Sequence, residues 1–145
     1  LGVSRLVPLI TERAVVEPRD SKLDRLRRPV IEASKQSKRN RLMAIEPPLS
    51  LGDLLSGHQT GIRLLAQPDG APAWRWPSLR GCEEVTLAVG PEGGFTAEEV
   101  NRAIEAGWSS IQFGGPILRI ETAGLAGASR VLGRYFEQNQ GEDRP

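Results

Sequence analysis

At 145 residues the chain suits one domain with a single sizeable core, and its 39% hydrophobic and 26% charged content is that of an ordinary globular protein. No apolar run approaches the roughly 18 residues of a membrane span, and no charged start precedes a short apolar stretch, so neither a spanning helix nor a secretory leader is read in these residues. The net charge of +1 conceals an asymmetry: residues 1–45 carry eleven Lys/Arg against five Asp/Glu, hence +6, and the remainder carries eight against thirteen, hence −5. A basic front half suggests either a local patch for a polyanion or a solvated helix face. One cysteine, Cys82, excludes an internal disulfide, and with the one histidine, His58, it makes no zinc site. Both are read as incidental, no metal is expected, and the compartment is read as reducing and cytoplasmic. The chain opens on Leu1-Gly2-Val3 without an initiator methionine and is read as a fragment.

Val3 to Ile10 has strand character, weakened at Pro8, which removes a ladder donor. Ser21 is a helix cap, with Leu23, Leu26, Val30 and Ile31 forming one apolar face; Pro29 should kink this helix or move its start. The helix fades near Ser37, where Lys38-Arg39-Asn40-Arg41 begins a basic loop, and Glu46-Pro47-Pro48 reads as a connector. A short helix begins near Ser50. Ile62 to Ala66 is a strand, closed by a turn at Gln67-Pro68-Asp69-Gly70, and residues 70–81 form a loop packed by Trp74 and Trp76. Val85 to Val89 is a buried strand broken by Gly90-Pro91-Glu92-Gly93-Gly94. Thr96 and Glu99 form a capping box for a helix that ends at Gly107. Ile111 to Phe113 is a further strand, Gly114-Gly115-Pro116 a further break, and Thr122 to Tyr135 a last helix, with Thr122 a plausible cap. This order is an α/β unit with a parallel sheet.

Both glycine-rich breaks follow strands, so both loops leave the carboxyl edge of the sheet, where open α/β sheets bind ligands. Glycine lets the backbone approach a flat ligand and leaves amides and carbonyls free. Neither break carries the dinucleotide fingerprint or the P-loop pattern, so phosphate binding is disfavoured; the alternatives are a nucleoside read through main-chain groups and two tight turns. In Leu118-Arg119-Ile120-Glu121-Thr122, Glu121 is either functional or an acid favoured by the helix dipole.

Leu-Ala-Val-Gly-Pro-Glu-Gly-Gly-Phe-Thr-Ala-Glu-Glu-Val at 87–100 with Ile-Leu-Arg-Ile-Glu-Thr-Ala at 117–123 resembles the paired signature of the RsmE family of 16S rRNA uridine-N3 methyltransferases. Residues 1–13 and 32–41 resemble the same family, so the similarity covers most of the chain and weakens between about 50 and 83. The resemblance implies a SPOUT fold across 1–145, a parallel sheet between helices with a C-terminal trefoil knot. It implies S-adenosylmethionine as cofactor, a homodimer, and 16S rRNA of the small subunit as partner. Carried over by position, the cofactor residues are Val89, Gly90, Pro91, Glu92, Gly93 and Gly94, then Phe113, Gly114 and Gly115, then Ile117, Leu118, Thr122 and Ala123. The family's N-terminal barrel-like RNA-binding domain, and the first strand and helix of the methyltransferase domain, are expected to precede Leu1.

Three positions depart from the family's pattern: Pro116 replaces an arginine, Ile120 a threonine and Lys38 a glycine. Methylating uracil N3 requires loss of its proton, and the charge spreads onto O2 and O4, so the site needs a proton acceptor and a cation or donors for those oxygens. Arg119 is the candidate cation, and Glu92 or Glu121 either takes the proton or orients Arg119. Arg13, Lys35, Lys38, Arg39 and Arg41 are candidates for rRNA phosphate contacts, whereas Lys22, Arg25, Arg27 and Arg28 read as a solvated face. The alternatives are another SPOUT RNA methyltransferase with a different target nucleotide, and a non-catalytic RNA-binding or ribosome-assembly relative.

Overall fold

The computed structural model describes residues 2–14, 20–57, 60–115 and 117–139; Leu1, His58 and Pro116 lie outside them. The stretch expected as one strand over Val3–Ile10 is two, β1 (Arg5–Leu6) and β2 (Leu9–Ile10). They pair in parallel with β3 (Ala44–Ile45) and β4 (Leu49–Ser50). Arg5 stands opposite Ala44 but Leu9 opposite Leu49, so the second segment gains one residue between the two pairings. That slip falls at Pro8 and at Pro47-Pro48, none of which has an N–H to continue a ladder.

Helix α1 (Asp20–Gln36) joins these pairs. It begins one residue before Ser21, which therefore lies in its first turn, and Pro29 sits within it rather than at its start. Its apolar face is only half covered: Leu26 and Ile31 remain exposed. The helix ends in a Schellman motif, in which the Arg39 amide donates to the Ser34 carbonyl at 3.0 Å and the Lys38 amide to the Lys35 carbonyl at 3.2 Å. The residue in the left-handed position of that motif is Lys38, at φ +52°. Helix α2 (Leu51–Ser56) is capped by Ser50, whose hydroxyl accepts from the Asp53 amide at 3.0 Å, as its sequence suggests.

The principal sheet is parallel throughout, with β5 (Ile62–Ala71) between β6 (Val85–Val89) and β7 (Ser109–Ile111). Its central strand β5 runs Ile62–Ala71, through the segment expected to turn. The turn chemistry shows instead as a break in register: Ala66 and Ala71 both face Ile111, so Gln67-Pro68-Asp69-Gly70 form an excursion along the strand. β6 is Val85–Val89 as expected, while β7 is Ser109–Ile111, two residues earlier than its hydrophobic pattern suggests. The two serines pair with Leu64 and Leu65, and the chain leaves the sheet at Gln112, whose amide donates to the Ala71 carbonyl.

β5 alternates by two, so Leu64 and Leu65 serve opposite faces. On one face Leu65 packs with Leu51, Leu54, Ala88, Phe95, Ala103 and Trp108, under α2 and α3 (Ala97–Glu105). On the other Leu64 packs with Trp76, Ile111, Leu87, Phe113 and Val131, under α4 (Ile120–Asn139). Helix α3 ends in the same motif as α1, here with Gly107 at φ +83° in the left-handed position. Helix α4 starts before Thr122, which is therefore inside its first turn and not its cap. Trp76 is buried, but Trp74, expected to help pack the loop, stands exposed. Among the described residues no helix is long and apolar enough to cross a membrane.

Candidate active site at the carboxyl edge of the sheet

Because β6 and β7 flank β5 in parallel, the loops that follow them leave the same edge on either side of the central strand. The first loop, residues 90–95, folds on a turn in which the Gly94 amide donates to the Pro91 carbonyl at 2.8 Å. It is held from below by buried Phe95, whose ring atoms lie 3.1 Å from where a Cβ on Gly90 would sit. It is held from the side by Arg13, which donates from Nη1 to the Gly93 carbonyl at 2.9 Å. Immediately after it, Thr96 and Glu99 form the capping box of α3. The Glu99 carboxylate does more than cap: Oε2 accepts from the Thr96 amide at 2.8 Å, and Oε1 accepts from the Glu12 amide at 2.9 Å. The end of the first loop and the segment after β2 thus share one buried carboxylate.

The second loop, residues 112–119, begins with Gln112 donating from Nε2 to the Gly70 carbonyl at 2.9 Å. Phe113 is half-buried, edge-on to Trp76 at 6.1 Å between centroids. Gly114 and Gly115 follow at φ +74° and +75°, with open space where side chains would stand. Among the described residues, the main-chain groups of Phe113, Gly114, Gly115, Ile117 and Leu118 make no hydrogen bond to protein. Ile117 is 85% exposed, Leu118 is half-buried, and the Arg119 carbonyl accepts from the Ala123 amide at 2.7 Å.

Of the residues nominated for the cofactor, Val89 ends β6, the two loops hold Gly90 to Gly94 and Phe113, Gly114, Gly115, Ile117 and Leu118, and Thr122 and buried Ala123 lie in the first turn of α4. Arg119 and Glu121 flank the start of that helix and are exposed, as is Glu92 in the first loop; none makes a side-chain hydrogen bond or ion pair to a described residue. The five nominated phosphate contacts separate. Arg13 is engaged with the first loop, Arg39 donates to the Val3 carbonyl at 3.0 Å, and Lys35 lies 3.9 Å from Glu32. Lys38 and Arg41 are exposed. Two contacts that tie the site together, Arg13 to Gly93 and Glu99 to Glu12, span 80 and 87 residues of sequence and had no local signal.

A parallel sheet with two main-chain-rich loops at one edge defines an α/β ligand-binding domain. The family is more specific: residues 1–132 match the RNA methyltransferase domain, and the chain belongs to that family. It is 34% identical over 137 residues to ribosomal RNA small subunit methyltransferase E of Synechocystis, covering 90% of this chain and 45% of that protein. It is 36% identical over 127 residues to the enzyme of the same name from Aquifex aeolicus, covering 85% and 54%. The chain therefore spans about half the length of the curated relatives it matches. Among solved structures, a methyltransferase from Legionella pneumophila in complex with S-adenosylmethionine superposes with a TM-score of 0.83 at 28% identity, covering 91% of this chain and 56% of that one. Ribosomal RNA small subunit methyltransferase E of Neisseria gonorrhoeae, bound to S-adenosylmethionine, superposes with a TM-score of 0.78 at 30% identity, covering 90% and 56%.

Proposed function

We propose that this chain is the catalytic domain of a methyltransferase that modifies a uridine of 16S rRNA at N3, with S-adenosylmethionine as cofactor. Residues 1–145 form one SPOUT domain in this reading, with the C-terminal segment threaded as a trefoil knot. The observation that carries the reading is the pair of loops at one sheet edge, the second with unengaged main-chain groups and an exposed apolar side chain. Those features suit an adenosine, which needs amides and carbonyls for its ring nitrogens and an apolar surface for its face. The cofactor set is Val89 to Gly94, Phe113 to Gly115, Ile117, Leu118, Thr122 and Ala123. The likeness to two proteins described with that cofactor supports it.

When bound, S-adenosylmethionine supplies an electrophilic sulfonium methyl. The chain's own residues prepare the nucleophile. Arg119 lies at the mouth of the second loop, and its guanidinium has no partner among the described residues, so it is available to the O2 or O4 oxygen that gains charge as N3 loses its proton. Glu92 and Glu121 are the carboxylates at the two loops, and one of them accepts that proton or orients Arg119. The cofactor, held by the two loops, would supply the methyl group to the deprotonated N3, and its demethylated form would be the leaving group. Lys38 and Arg41 are free for rRNA phosphates, and Arg13, Lys35 and Arg39 complete that basic set. The exposed apolar side chains Leu125 and Phe136, on one side of α4, suit the face of a homodimer.

Calorimetric titration with S-adenosylmethionine and with its demethylated product tests the reading. Micromolar binding at one site per chain supports it. A folded chain that binds neither ligand, with the same failure in a longer version bearing preceding residues, overturns it.

A further inference from the structure

Between β5 and β6 the chain makes a single 3-10 turn, Ala73–Arg75, and Trp74 at its centre is 73% exposed. Large aromatic rings are ordinarily buried on folding, and the other two tryptophans of this chain, Trp76 and Trp108, are buried. The turn beneath Trp74 is firmly fixed. Arg134 on α4 donates to the Ala73 carbonyl and to the Trp76 carbonyl, both at 3.0 Å, which clamps the main chain on either side of Trp74. The buried Trp76 indole donates to the Ala71 carbonyl at 3.1 Å and sets its ring edge-on to Phe113. The ring is therefore exposed on a rigid pedestal that shares its supports with the second loop of the site. One face of the Trp74 ring is taken by the Arg75 guanidinium, 4.5 Å from the centroid.

We propose that Trp74, backed by Arg75, is a stacking platform for an unpaired base of the substrate RNA beside the target nucleotide. The proposal rests on the reading that RNA is the substrate. An aromatic plane with one face open and a cation against the other is the combination that holds a single-stranded base and its neighbouring phosphate, and it tolerates any base because every base has a π-face. β5 delivers the turn from the same sheet edge as the two loops, so a base stacked there belongs to the strand that presents the target uridine. Trp74 is a positioning residue in this role; it touches neither the cofactor nor the reacting atoms.

The test compares wild type, Trp74→Ala and Trp74→Phe for affinity toward a single-stranded uridine-rich RNA and toward S-adenosylmethionine, with oligomeric state measured alongside. An exposed ring contributes little to folding, so all three should show the same thermal transition. The expected result is a loss of RNA affinity of roughly 5- to 150-fold in Trp74→Ala, the equivalent of about 1–3 kcal/mol for one stacked base. Trp74→Phe should recover most of it, and cofactor affinity should be the same in all three. RNA affinity within about twofold of wild type in Trp74→Ala would overturn the platform while leaving the methyltransferase reading intact. A change in oligomeric state in Trp74→Ala would assign the ring to an interface between chains and also overturn it. If wild type binds the cofactor but no RNA, and a longer version bearing preceding residues also binds none, the substrate reading fails and the platform fails with it.

Discussion

Glu99 offers a sharp test of how the fold supports the site. The residue is 7% exposed, and its carboxylate receives two main-chain amides, one from Thr96 and one from Glu12. Hydrogen bonds to a charged acceptor contribute about 1.5–3 kcal/mol each. Both amides are part-buried, so the lower figure applies to each, and Glu99→Ala should cost about 3 kcal/mol. Glu99→Gln keeps one acceptor oxygen, uncharged, and should cost about half as much, near 1.5 kcal/mol. For a chain of this length those losses correspond to a fall in Tm of about 6–12 °C and about 3–6 °C. Urea unfolding followed by circular dichroism measures both, with an unchanged slope showing that stability alone has moved. The substitutions should also weaken cofactor binding in the same order, because Glu12 adjoins Arg13 and Arg13 holds the Gly93 carbonyl. A loss below about 1 kcal/mol in Glu99→Ala, or equal losses in the two variants, would refute the two-amide account.

Arg119→Ala should abolish methyl transfer in an assay on small-subunit particles and leave S-adenosylmethionine affinity nearly unchanged; retained turnover would remove Arg119 from the mechanism. Lys38→Gly removes a left-handed strain of about 1–2 kcal/mol but adds freedom to the unfolded chain worth about 0.5–1 kcal/mol, so urea unfolding should show a gain of up to about 1.5 kcal/mol. At Gly127 a Cβ would lie 2.5 Å from Leu87 Cδ2 and 2.6 Å from Phe113 Cζ. Gly127→Ala should therefore lose about 1–2 kcal/mol despite better helix propensity, and cofactor affinity should drop as Phe113 is displaced. Gly124→Ala, with nothing within 4 Å, should instead gain up to about 1 kcal/mol with no change in binding.

The caps of α2 and α3, the exit of α3 and the buried strand β6 were legible because their signals are local, whereas Ser21 and Thr122, read as caps, fall inside the first turns of α1 and α4. Ser50, the Thr96–Glu99 box and Gly107 each act within a few residues of where they stand. The same local grammar explains why a glycine suits position 38: the exit of α1 repeats the geometry at Gly107, and Lys38 occupies it at a strained φ. Signals that depend on a partner far along the chain misled. Gln67-Pro68-Asp69-Gly70 has the composition of a turn, yet Ala66 and Ala71 both pair with Ile111 and the segment is carried along β5. Ser109 and Ser110 lack strand hydrophobicity but complete β7 because Leu64 and Leu65 are waiting opposite.

What the sequence by itself determined about this protein is its α/β class, its two glycine loops after parallel strands, and a family resemblance concentrated at 87–100 and 117–123. What only the tertiary structure decided is which groups hold those loops and which stand free. Arg13 and Arg39 were nominated alike as phosphate contacts, and the fold engages each with a main-chain carbonyl. Trp74 and Trp76 were nominated alike as packing residues, and the fold buries one and presents the other. Side-chain roles of this kind follow from which distant segment arrives beside a residue, and no window along the chain contains that information.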